Sequence, residues 1–148
     1  MTADMLDLAR RAAACKGFRW MPGMLVSDGV SVAWRVHHDG ARLVAVPNVP
    51  RWAPMPLDGE EHLDMFPVLT DPATLGCLLA LVREAYGDSA LYVRLSDTTR
   101  QSDGARAWEV LGWLSPERSR DGRVGSWRGW GYASEAEALV AALEAAPQ

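Results

Sequence analysis

The chain has 148 residues, 15 basic and 19 acidic, for a net charge of −4, which fits one domain built around a single core. Its 49% apolar content against 23% charged residues excludes a disordered chain, and the longest apolar run, Cys77 to Val82, is far too short to span a membrane. The acidic balance also argues against a general nucleic-acid binder, whose affinity comes from phosphate neutralisation.

The opening residues set Asp4 and Asp7 ahead of Arg10 and Arg11 and lack the apolar core of an export signal, so the expected compartment is the cytoplasm, with Cys15 and Cys77 as thiols. Thr2 or Asp4 caps a first predicted helix that runs to about Cys15, with Met5, Leu6, Ala9, Ala12 and Ala13 near one face and Gly17 at its end. Pro22-Gly23 is a turn signal, and Met24 to Val46 then reads as two or three antiparallel strands with a tight hairpin at Asp39-Gly40. Residues 47–71 hold five prolines and five acids against one arginine, and are predicted to be a surface loop. Asp71-Pro72 opens the strongest predicted helix, closing at Gly87, with apolar residues around most of its circumference; it is read as the buried middle helix. Ala90 to Leu95, Ala105 to Leu114 and Val124 to Tyr132 read as a three-strand meander. Ser134 with Glu137 is a capping box for a last helix, whose apolar stripe is Leu139, Val140 and Leu143. The expected architecture is α+β: a single domain, 1–148, with three helices and an antiparallel sheet of about five or six strands.

Seven of the 12 aromatic residues are tryptophan, which supplies both core volume and interface anchors. Trp34, Trp108 and Trp113 fall in strand patterns and are read as core or sheet-face residues. Trp20 and Trp52 sit in turn-like context, and Trp127 and Trp130 sit among glycines. The candidate partner-binding surface therefore combines Arg123, Trp127, Arg128 and Trp130 with Arg19 and Trp20, since rings beside arginine forks join burial to directed polar contacts. Strand alternation sets Trp127 and Trp130 on opposite faces.

Catalytic signals are poor. Cys15, His37, His38, His62 and Cys77 lack any metal-ligand spacing, and no phosphate-binding glycine loop or nucleophile elbow occurs, so neither a metal nor a cofactor is expected. The acidic run Leu57 to Asp64 lacks the pattern of a calcium loop.

Three segments, LARRAAACKGFRWMPGM, LTDPATLGCLLALVREAYG and SEAEALVAALEAAP, resemble small uncharacterised proteins encoded by phages and prophages. The resemblance implies a bacterial host cell and carries no residue roles. The expected function is non-enzymatic: binding and modulating a host or phage protein, inhibition of bacterial immunity being one form. The alternatives are a small enzyme acting on a nucleotide or metabolite, and a nucleic-acid-binding regulator.

Overall fold

In the computed structural model, which describes residues 2–29, 33–49, 53–57, 65–100, 104–113 and 126–147, the backbone alone being described at 97–100, 113 and 126–130, Thr2 caps the first helix. Its hydroxyl accepts the Met5 N–H at 3.3 Å, and α1 runs Ala3–Ala14. The helix stops at Cys15, whose backbone is extended, two residues before the glycine that the sequence suggests as its end. Its buried residues are Leu8, Ala9 and Ala12; Met5, Leu6 and Ala13, predicted on the same face, are only half-buried.

The elements that follow are β1 (Leu25–Ser27), β2 (Ala33–Asp39), β3 (Arg42–Pro47), β4 (Met55–Pro56), β5 (Phe66–Pro67), α2 (Pro72–Tyr86), β6 (Tyr92–Arg100), β7 (Arg106–Trp113), β8 (Ser126–Tyr132) and α3 (Glu135–Glu144). Among the described residues the architecture is α+β with three helices, as expected. The strands, however, divide into two antiparallel sheets, one ordered β4-β3-β2-β1-β5 and the other β6-β7-β8. The proline-rich segment accounts for part of the difference, because Pro56 and Pro67 stand in two-residue strands at the two edges of the larger sheet, where the missing donor is tolerated. The chain packs as two compact units, Met1–Cys77 and Leu78–Gln148, with the boundary inside α2.

In the first unit, β2 and β3 form the hairpin. Asp39 pairs with Arg42, so the two central residues are Gly40 and Ala41, and Gly40 has φ +60°. Glycine in the first central position alone having positive φ is the signature of a type II′ turn. The core here is made by Leu8, Met24, Val26, Trp34, Val36 and Leu69, with Trp34 buried as predicted.

The middle helix α2 is buried along one stripe, Thr74, Leu78, Leu81, Val82 and Tyr86, while Ala73, Gly76, Ala80 and Glu84 are exposed. It closes as the sequence predicts: Gly87 N–H donates to Glu84 O at 3.0 Å and Asp88 N–H to Arg83 O at 3.0 Å, the paired bonds of a Schellman end. In the second unit, α3 packs on the three-stranded sheet. Ser134 accepts the Glu137 N–H at 3.1 Å, as the capping box predicts, while the Glu137 carboxylate accepts the Ala133 N–H at 2.7 Å, one residue before the N–H that a capping box engages. The buried face of α3 is wider than its leucine and valine stripe, because Ala136, Ala138 and Ala142 are also buried. Trp108 is half-buried on β7, and the Trp113 side chain and Trp52 lie outside the described residues.

Ala142 is among the last four residues of α3, whose carbonyls have few intrahelical partners; the Tyr86 hydroxyl donates to its oxygen at 3.1 Å. Tyr86→Phe is therefore expected to lower stability by about 1 kcal/mol, read as a shift in denaturation midpoint. An unchanged midpoint would show that the carbonyl finds another donor.

Candidate binding surface

The segment between α1 and β1 is held at both ends. Phe18 N–H donates to Cys15 O at 2.9 Å, and Met24 N–H donates to Met21 O at 3.1 Å across Pro22-Gly23. With proline first and a glycine at φ +95° second, this is a type II turn. Gly23 N–H also donates to Val36 O at 2.9 Å, which ties the turn to β2.

Between these anchors Phe18 and Trp20 meet edge to face, with ring centroids 5.0 Å apart and an interplanar angle of 83°. The ring contact spans a single intervening residue, Arg19. Both rings are half-buried and Arg19 is exposed. Phe18 was not a sequence candidate, although the aromatic, arginine, aromatic order of residues 18–20 carries this two-residue period.

A polar clasp holds the turn from below. Asp71, at the start of α2, accepts two bonds from the Arg35 guanidinium, at 2.8 and 3.1 Å, one from the Thr74 N–H at 2.8 Å and one from the Thr74 hydroxyl at 2.9 Å. Arg35 donates in addition to Gly23 O at 2.8 Å, and the Thr74 hydroxyl accepts the Leu25 N–H at 2.8 Å. Burial alone raises the Asp71 pKa, but the Arg35 hydrogen bond, the two Thr74 bonds and the Arg35 charge together hold it below the ordinary carboxylate value. A carboxylate kept ionised, with both oxygens engaged, serves as a structural acceptor and not as a general base. Cys77 donates to Pro22 O at 3.6 Å; burial, then the Asp71 charge, raise its thiol pKa against an opposing Arg35, the opposite of an activated nucleophile. Neither Cys77 nor Cys15 is in a disulfide.

The other candidates fall elsewhere. Trp127, Arg128 and Trp130 lie on β8 in the second unit, paired in backbone register with Gly112, Leu111 and Glu109, so Trp127 and Trp130 stand three rows apart. Arg123 and His62 lie outside the described residues. His37 and His38 are exposed on β2, and no cluster of three or more metal-ligating side chains occurs among the described residues. Glu109, buried on β7, was not singled out by its sequence; its Oε1 accepts the Arg94 Nε at 2.7 Å from the facing strand.

A groove of about 580 Å³ opens in the first unit, lined by Thr2, Met5, Ser27, Ala33 and Val68 to Thr70. Its described lining carries no titratable side chain. Among the described residues no helix is long and apolar enough to cross a membrane. No family model, no curated protein and no solved structure matches the chain.

Proposed function

We propose that the protein acts by binding a protein partner, without catalysis, through the Phe18–Trp20 turn of its first unit. The observation that carries this reading is the contrast between two places in that unit. The groove of the first unit has described walls of hydroxyl and apolar groups, with nothing among them to move a proton, whereas the surface turn brings two large rings into contact, with the exposed Arg19 between them in sequence. A pinned aromatic pair costs little entropy on binding, because its backbone and rotamers are already ordered by the Gly23 turn and by ring contact. Arg123, Trp127, Arg128 and Trp130 belong to the same proposal as a second surface on the other unit. Following the resemblance of its sequence, we take the partner to be a host or phage protein in the bacterial cytoplasm, a component of bacterial immunity among the options.

The test is affinity measurement with a captured partner. Trp20→Ala, with its fold verified by circular dichroism, is expected to weaken binding by about 2 kcal/mol, roughly thirty-fold, as an interface anchor does. Affinity equal to wild type for both Trp20→Ala and Phe18→Ala, with the fold intact, would remove this turn from the interface.

A further inference from the structure

We draw no further inference here: the strongest candidate, the groove of about 580 Å³ in the first unit lined by Met5, Ser27, Ala33 and Val68 to Thr70, has described walls of apolar and hydroxyl groups, and nothing in the structure shows what covers it.

Discussion

Leu78→Ala is expected to destabilise the protein by about 2–5 kcal/mol, the cost of lost burial plus the cavity left behind. Leu78 is fully buried at 0% exposure, and it lies on the stripe of α2 that also buries Leu81, Val82 and Tyr86. Leu79, one position on, is only half-buried, so Leu79→Ala is expected to cost less than half as much. Urea denaturation of the two variants reads both values. Equal losses would mean that α2 is buried all round; a loss at Leu78 of less than about 0.5 kcal/mol, the scale of ordinary surface changes, would remove α2 from the core.

Asp71→Asn is expected to cost about 2 kcal/mol at neutral pH, and Asp71→Ala about 1 kcal/mol more, because asparagine still caps the first turn of α2 and alanine does not. The first figure lies below the range for fully buried ion pairs, since the Arg35 side chain is 32% exposed and keeps part of its hydration. The pH dependence follows from the direction of the shift. Asp71 has a lowered pKa when folded, so its contribution is complete above the ordinary carboxylate range and is lost as pH falls through the lowered folded-state value. Wild type and Asp71→Asn should therefore converge in stability under acid. A gap that stays constant with pH would show that Asp71 acts through its hydrogen bonds alone. Because Arg35 also holds Gly23 O, the same variants should loosen the aromatic turn, measurable as a change in the near-ultraviolet circular dichroism of its rings.

What the sequence made legible was local. Thr2, Asp71-Pro72, Gly87 and Ser134 with Glu137 each act within a few residues, and each stands where its chemistry requires. The hairpin glycine was found with its turn one residue out, because the Asp39 with Arg42 pair that sets the register lies across strands. Alanine hid the depth of α3: a small side chain scores as nearly neutral in a hydrophobic pattern, yet it lets a helix sit close on a sheet, and Ala136, Ala138 and Ala142 do so. Arg35 and Asp71 are separated by 36 residues, and no spacing rule connects a strand arginine to a distant helix cap. Glu109 was passed over in the same way, since its partner Arg94 faces it from another strand. In the candidate surface, Arg19 and Trp20 were legible as residue types in a turn. Phe18 was not, because its pairing with Trp20 depends on how the chain runs between the turn at Cys15–Phe18 and the turn at Met21–Met24.

The central claim is that the turn at residues 18–20 contacts a partner protein, and site-specific photocrosslinking tests it most directly. A benzophenone amino acid is placed at Trp20 in one variant and at His38, an exposed position on the β2–β3 hairpin, in another. Irradiation in bacterial cells is expected to give a discrete protein adduct from position 20, abolished by excess wild-type protein, and none of the same mass from position 38. The same adduct from both positions, or none from position 20 while the variant remains folded, would contradict the claim.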